Sequence, residues 1–107
     1  MDTVQLSPVV LVSEDPFVSR FLRAILERQG YQVVIAGSAR AGELKPDLVI
    51  TNTPQLFLGM AEPVPLLYLA AVPDAQLAAR FPLCRMLRKP FRNEDLLEAV
   101  ETLTVVT

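Results

Sequence analysis

The chain of 107 residues contains no histidine, no tryptophan, a single cysteine and four glycines. Without histidine, it lacks the Ser–His and Cys–His nucleophile pairs, the histidine general bases and the usual zinc sites. Cys84 has no second cysteine with which to form an internal disulfide, which favours a cytoplasmic location. We therefore expect neither a hydrolase of the Ser–His type nor a disulfide-stabilised secreted domain.

The sequence also lacks a strong excess of one charge and any long hydrophobic run. Ten Lys and Arg residues oppose twelve Asp and Glu residues, which gives a formal net charge of −2, so a nucleic-acid partner is not expected. No apolar run approaches the ~20 residues that span a bilayer, and the amino terminus lacks the basic segment of a signal peptide. With 51% hydrophobic residues, the chain predicts one domain over residues 1–107, with no membrane partner.

Five short apolar segments are typical of buried strands. They are residues 9–12, 31–36, 47–51, 64–70 and 83–87. Between the first two, Asp15 and Pro16 have the residue types of a helix cap and a first helical position. Apolar residues then recur at helical spacing, namely Phe17, Val18, Phe21, Leu22, Ile25 and Leu26. Gly30 is expected to end that helix.

The connections between the middle strands are short. Residues 38–45 have room for about two helical turns. Residues 53–63 contain Pro54 and Gly59, which interrupt a helix. Residues 74–81 are a further helix candidate. The central helices are therefore expected to be shortened.

A last helix is expected to begin at Asn93, whose side chain is a common helix cap. Its predicted buried stripe consists of Leu96, Leu97, Val100 and Leu103. Strands that alternate with helices predict an α/β fold with a parallel five-stranded sheet and helices on both faces.

Polar side chains follow three of the predicted strands. Glu14 and Asp15 follow the first strand, Asn52 follows the third and Lys89 follows the fifth. The carboxyl ends of parallel strands meet at one edge of the sheet, so these side chains are expected to converge. Two carboxylates opposite a lysine can hold a divalent cation and a phosphoryl group. The spacing alone leaves open that Asp15 only caps the helix and that Lys89 only neutralises the acidic pair.

Four stretches, taken in order, resemble the receiver domain of two-component response regulators over essentially the whole chain. They are VVLVSEDPFVSRFLRAILERQGYQVVIA, PDLVITN, VPLLYLAA and LRKPFRNEDLLEAV. The resemblance implies the flavodoxin-like (βα)5 receiver fold and a role in phosphorelay signal transduction. It also implies a magnesium site at Glu14 and Asp15, a phospho-accepting position at residue 52, and a cis peptide bond between Lys89 and Pro90.

Three positions depart from the pattern of that family. Asn52 replaces the phospho-accepting aspartate, and a neutral amide is a poor nucleophile toward phosphorus. Ala70 replaces a Ser or Thr, and Met86 replaces the switch aromatic residue. The degenerate phosphorylation pocket then consists of Glu14, Asp15, Asn52, Ala70 and Lys89. We expect no enzymatic activity and no cofactor, with Glu14 and Asp15 as weak candidates for Mg²⁺ that do not bind it tightly.

The sequence therefore predicts a phosphorylation-independent pseudo-receiver that acts as a protein-interaction module in two-component-type signalling. Its expected partner is a histidine kinase, another regulator or an output protein, and a homodimer is an alternative. The contact surface is expected on the last helix and the fifth strand, including Arg85, Arg88 and Arg92, within a run of basic residues that no acidic residue interrupts. The alternative is a solvated edge whose positive charges are balanced by the carboxylates of the last helix. The apolar residues of segment 56–60 either fill the core in place of a helix or form a second exposed patch.

Two other functions stay open. One is a working phosphorelay receiver that is phosphorylated at a non-standard residue with Mg²⁺. The nearby hydroxyls of Ser13, Thr51 and Thr53 lack a base to activate them, which disfavours this function. The other is a small-ligand sensor that uses the vacated pocket between Asn52 and Lys89, next to Ala70.

Overall fold

The computed structural model describes residues 7–60 and 62–105, and its centre is a parallel sheet of five strands. The strands are β1 (Val9–Ser13), β2 (Gln32–Ile35), β3 (Leu48–Thr51), β4 (Leu66–Ala70) and β5 (Cys84–Arg88). They are ordered β2-β1-β3-β4-β5, and every neighbouring pair is parallel. This arrangement confirms the predicted α/β fold, in which helical crossovers connect parallel strands.

The three central strands are buried on both faces. In β3 all four residues are buried, and in β1 and β4 only residues at the strand ends are partly exposed. The edge strands β2 and β5 are mostly exposed or partly exposed. A continuous apolar sequence is typical of strands that are covered on both sides, which explains why the central strands are recognisable in the sequence.

Helix α1 (Pro16–Arg28) begins and ends where the sequence predicts. The Asp15 side chain accepts hydrogen bonds from the backbone N–H groups of Phe17 and Val18, each at 3.0 Å. These N–H groups have no partner within the helix, so the cap satisfies them. Just past the helix, Gly30 has φ +93°, a conformation that favours glycine.

The sheet is covered unequally on its two faces. One face packs against α1 and α4 (Asn93–Thr104), through Leu22 and Leu26 of α1 and Leu96 and Val100 of α4. The other face is covered by short elements. They are α2 (Ala41–Leu44), α3 (Ala75–Ala78) and two 3₁₀ helices, Ser38–Arg40 and Pro54–Phe57. The shortened central helices are thus confirmed.

Segment 56–60 contributes one side chain to the core and leaves others exposed, so both alternatives for this segment hold in part. Phe57 is buried against the second face of the sheet, whereas Leu56 and Leu58 are exposed. A 3₁₀ helix has three residues per turn, so three consecutive side chains point in three different directions and cannot all face the core. The aromatic ring therefore fills the space beneath the missing helix.

Three details of the helices correct the sequence analysis. Asn93 is the first residue of α4, and Arg92 takes the cap position without a side-chain cap hydrogen bond. The carboxylates in the first turn of α4 complement the helix dipole instead. In α1, Phe17 and Phe21 are exposed although they belong to the apolar pattern, because only one side of the helix contacts the sheet. In the predicted buried stripe of α4, Leu97 and Leu103 are only partly buried.

Within residues 7–60 and 62–105, none of the helices has the length and hydropathy that a transmembrane span requires.

Substitution of Leu22 should show which residues form the main core. Leu22 is fully buried, and Leu22→Ala should lower the free energy of unfolding by about 2–5 kcal/mol because it leaves a cavity. Leu97→Ala is the matched control on α4, and its partly exposed side chain should cost roughly half as much or less. Equal losses in urea denaturation would contradict the difference in burial.

The positive φ of Gly30 makes a second prediction. Gly30→Ala should destabilise the protein by about 1 kcal/mol, since an L side chain is strained in this conformation. A methyl group at this position would meet no atom within 4 Å, so the loss measures backbone strain alone. Gly42→Ala, in exposed α2, is the control and should be neutral or stabilising by up to about 1 kcal/mol. A loss in both variants on thermal denaturation would refute the backbone explanation.

Candidate functional site

The register of the sheet brings the predicted site residues to one edge. Ser13 lies beside Thr51, so Glu14 and Asn52 both follow directly after neighbouring strand ends. Ala70 ends β4, and the backbone N–H of Lys89 donates a hydrogen bond to its carbonyl at 2.8 Å. The carboxyl ends of β1, β3, β4 and β5 therefore form one continuous edge, as expected for a ligand-binding edge of this fold class.

An ion pair between Glu14 and Lys89 crosses this edge. Lys89 Nζ lies 2.9 Å from Glu14 Oε2, and the Glu14 side chain is fully buried while that of Lys89 is 27% exposed. Because β3 and β4 lie between β1 and β5, the pair spans the ends of both. It links the loop after β5 to the loop after β1. The Lys89–Pro90 peptide bond is cis, as the resemblance implies.

The remaining contacts of Glu14 hold it in place. Its Oε1 accepts a hydrogen bond from the Asp15 backbone N–H at 3.1 Å, and its carbonyl accepts one from Ser19 Oγ at 3.0 Å. Oε2 contacts Lys89 without the alignment of a hydrogen bond, and it has no hydrogen-bond partner among the described residues. A buried carboxylate requires a nearby opposite charge, and here Lys89 supplies it.

Glu14 and Asp15, the weak candidates for Mg²⁺, are both engaged in other contacts. Asp15 is exposed, and its Oδ1 is engaged with two backbone N–H groups of α1. Glu14 is paired with Lys89. In the described part of the chain, no three His, Cys, Asp or Glu side chains converge on one point. Mg²⁺ is usually bound by one or two carboxylates together with water molecules, and here both carboxylates already have other partners.

Asn52 lies next to two threonines whose hydroxyls are already hydrogen-bonded. Asn52 is exposed in the bend after β3. The buried Thr51 Oγ1 accepts a hydrogen bond from the Thr53 backbone N–H at 3.0 Å and lies 3.2 Å from Thr53 Oγ1. The hydroxyls are thus bonded to one another and to the backbone. A Ser or Thr side chain needs an adjacent base before it attacks phosphorus.

The three arginines of the predicted contact surface do not lie on one face. Arg85 and Leu87 lie on the face of β5 that is turned toward α4, and Arg85 Nη2 lies 3.8 Å from Glu98 Oε1. Arg88 shares the opposite face of β5 with Met86, which is 45% exposed. Arg92 is exposed at the start of α4. Because side chains alternate between the two faces of a strand, Arg85 and Arg88 lie on opposite faces of β5 although they belong to one basic run in the sequence.

Cys84 is a structural residue. It packs against the second core cluster, and burial raises the pKa of its thiol above the ordinary value. The Sγ–H group donates a weak hydrogen bond to the Arg85 carbonyl at 3.8 Å. A raised pKa keeps the thiol protonated at neutral pH, so Cys84 is a poor nucleophile.

An aromatic surface beside the ion pair was not predicted as a site. Phe17, Phe21 and Phe91, together with Lys89, line a shallow cavity of about 630 Å³. The guanidinium of Arg20 lies 5.2 Å from the centre of the Phe17 ring. In a helical projection, Phe17 and Phe21 lie on a different side of α1 from the buried leucines. This separation along the sequence is a signal for an exposed aromatic surface.

Comparison with known proteins shows the fold. No family model matches the sequence, and no curated protein matches it either. Among solved structures, the non-phosphorylated HemR receiver domain of Leptospira biflexa is 25% identical, with a TM-score of 0.77, covering 94% of this chain and 97% of that one. The chemotaxis protein CheY4 of Vibrio cholerae is 19% identical, with a TM-score of 0.73 and coverage of 92% and 99%.

A third solved structure is longer than this chain. The anti-anti-sigma factor PhyR of Bartonella quintana is 21% identical, with a TM-score of 0.64, and the match covers 94% of this chain but 48% of that one. The similar structures include receiver domains of response regulators, so the chain has the receiver fold.

The Glu14–Lys89 pair makes a testable prediction. Lys89→Met should lower the free energy of unfolding by about 2–4 kcal/mol, because the Glu14 carboxylate would stay buried without a counter-charge. Arg23→Met is the matched control. It breaks the exposed Arg23–Glu27 pair at 3.9 Å and should cost less than about 1 kcal/mol.

The double variant Glu14→Gln/Lys89→Met separates the ion pair from packing effects. It should be more stable in urea than Lys89→Met alone, because no unpaired charge remains. If Lys89→Met were no more harmful than Arg23→Met, the pair would not hold this edge of the sheet.

Proposed function

We propose that this chain is a phosphorylation-independent module with the receiver fold that acts through protein contacts in two-component-type signalling. The observation that carries the proposal is the position of Asn52. It follows β3 at the same edge as the Glu14–Lys89 pair, where the resemblance places a phospho-accepting aspartate. The module therefore has the receiver fold without the nucleophile of that family.

The chemistry at this edge supports the proposal. Phosphoryl transfer to a carboxylate needs an anionic oxygen in line with phosphorus, and the amide of Asn52 is neutral. The hydroxyls of Thr51 and Thr53 are hydrogen-bonded to each other. The charge of Lys89 is already balanced in part by Glu14. We propose that the chain has no catalytic activity of its own.

The ion pair also supports a fixed state of the edge. It joins the loop after β5 to the loop after β1, and Glu14 is buried beneath it. Ala70 and Met86 occupy the positions that the resemblance assigns to the hydroxyl and the aromatic ring of a switch. Met86 is exposed on β5 and offers no hydroxyl or ring. We propose that this edge does not change between two states and does not bind Mg²⁺ tightly.

The partner under this proposal is a signalling protein, such as a kinase, another regulator or an output protein. The similarity to PhyR supports a role in binding, because that protein is described as an anti-anti-sigma factor. The exposed guanidiniums of Arg88 and Arg92 are candidates for part of the contact surface. Arg85 is a weaker candidate because it is partly buried and lies near Glu98.

The proposal predicts that the chain does not accept phosphate. After incubation with a small-molecule phosphodonor and Mg²⁺, intact-mass spectrometry should find no phosphorylated species, because Asn52 cannot form an acyl phosphate. An active receiver domain is the positive control.

Amide chemical shifts near Glu14, Asp15 and Asn52 should not saturate in a titration with Mg²⁺ and beryllofluoride. Phosphate on any residue would overturn the proposal.

The variant Asn52→Asp tests how much of the mechanism depends on one residue. The added carboxylate increases the negative charge at the edge, which favours cation binding. Because Ala70 and Met86 are unchanged, we do not expect this variant to switch between two states. Widespread changes of amide chemical shift with beryllofluoride in Asn52→Asp would show that Ala70 and Met86 matter less than proposed.

Saturable binding of a small metabolite by the unmodified chain would favour a ligand sensor instead.

A further inference from the structure

Strand β5 forms one of the two edges of the sheet. It is the last strand in the order β2-β1-β3-β4-β5. At one end of the strand, the Leu66 backbone N–H donates to the Leu83 carbonyl at 2.9 Å. At the other end, the Lys89 backbone N–H donates to the Ala70 carbonyl at 2.8 Å. In a parallel pair the hydrogen bonds are evenly spaced, so these two bonds fix which residues of β5 bond to β4.

Every second residue of β5 turns its backbone away from β4. With Tyr68 beside Met86 in the register, the backbone N–H groups of Arg85 and Leu87 bond to β4. The N–H and C=O groups of the residues at the alternate positions point to the outer edge, and these residues are Cys84, Met86 and Arg88. In the described part of the chain, no loop or turn forms a backbone hydrogen bond with these groups. The edge therefore offers a row of free donors and acceptors.

The short helix α3 leaves one face of β5 accessible beside this edge. α3 has four residues, and on the face that it shares with β5 the Met86 side chain is 45% exposed and Arg88 is exposed. On the opposite face, Leu87 packs against the core under α4, and Arg85 lies 3.8 Å from Glu98. An added strand would thus have open space on the α3 side and a covered surface on the α4 side.

The charges around the open face have one sign. Residues 79–92 include Arg80 and Arg88 and contain no acidic residue. Among the described residues, neither of these two arginines forms an ion pair. Asp74, which precedes α3, accepts hydrogen bonds from the backbone N–H groups of Gln76 and Leu77. The open face is therefore complementary to carboxylates.

We propose that the outer edge of β5 binds an extended acidic segment of another protein, which adds to the sheet as a sixth strand. Main-chain hydrogen bonds to the outward groups of β5 hold the segment. Its side chains alternate between the two faces, so carboxylates lie on the side of Arg88 and apolar side chains on the side of Leu87. The inference rests on the proposed function in one respect, namely that the chain acts by contacting another protein.

The charges of β5 disfavour a second copy of the chain at this edge. Two β5 strands side by side would bring Arg85 and Arg88 of both copies together, and charged side chains on an edge strand oppose self-association. The other edge strand, β2, has no charged side chain that could select the charge of a partner. An acidic segment is thus favoured both by the free backbone groups and by the arginines.

Amide hydrogen exchange tests the geometry directly. The probe is a capped ten-residue peptide in which valine and glutamate alternate. In the free chain, the amides of Met86 and Arg88 should exchange faster than those of Arg85 and Leu87, because only the latter bond to β4. Saturation with the peptide should slow exchange at Met86 and Arg88 at least about tenfold. Attraction between charges alone would not produce this alternation.

Proline substitution tests the backbone contacts. Met86→Pro removes an outward N–H and no bond to β4, and proline is tolerated at such edge positions. The dissociation constant of the peptide, measured by fluorescence anisotropy, should rise at least about tenfold. Met86→Ala keeps the N–H and should bind within about threefold of the unmodified chain. Ile35→Pro is the matched control on β2, where Ile35 also turns its N–H outward, and it should leave binding unchanged.

Charge variants provide a second test that does not alter the backbone. Arg88→Glu should raise the dissociation constant of the acidic peptide at least about tenfold. Arg40→Glu makes the same change of net charge at an exposed position of the 3₁₀ helix Ser38–Arg40 and should bind like the unmodified chain. Circular dichroism should show that all the variants are folded.

Two further peptides separate strand addition from general anion binding. One has lysine in place of every glutamate, and the other has proline in place of the two central valines. Both should bind at least about tenfold more weakly than the acidic peptide, since one lacks the charge and the other lacks the strand conformation.

Several results would overturn the proposal. They are no binding of the acidic peptide, binding without slower exchange at Met86 and Arg88, and equal binding of the peptide that contains proline. A dimer that Met86→Pro abolishes in sedimentation velocity would assign the edge to a second copy instead. The proposed function fails on a different result, namely phosphate on the chain, so the two failures are distinguishable.

Discussion

A parallel sheet has to bury both of its faces, and this requirement governs how the chain uses its 107 residues. Strands β1, β3 and β4 are apolar on both sides, so each face needs a cover. Two long helices, α1 and α4, cover one face, and elements of three or four residues cover the other. Phe57 and Ala41 fill the space under these short elements. In the described residues, the long helical surfaces that a partner could contact therefore lie on one side.

The same parallel arrangement brings the strand ends together, and the polar side chains there bind one another. Glu14 is buried and needs a counter-charge, which Lys89 provides across the ends of β3 and β4. Asp15 is engaged in capping α1. The groups that the resemblance associates with phosphate chemistry thus stabilise the fold. Contacts with other proteins are then expected on the helices and on β5, where Arg20, Arg88 and the carboxylates of α4 are exposed.

The parts of the structure that depend on near neighbours in the chain were predictable. The Asp15 cap, the turn at Gly30, the buried strands and the short central helices all follow from residues within a few positions of one another. Predictions failed where the orientation of an element decides the outcome. Asn93 does not cap α4, and Phe17 and Phe21 face solvent. The role of the three arginines in a contact surface stays a prediction, although Arg85 and Arg88 lie on opposite faces of β5.

The sequence by itself determined the order of strands and helices along the chain, the apolar segments that form the sheet, and the amide at position 52. These are local properties, since each is set by residue type and spacing along the chain. Only the tertiary structure decided that Lys89 pairs with Glu14, 75 residues away along the chain, and that β5 lies at an open edge of the sheet. Such arrangements depend on strand order and on which side of each helix meets the sheet. Helical or strand periodicity shows that a face is apolar, but packing alone selects the side chains that remain exposed to bind a partner.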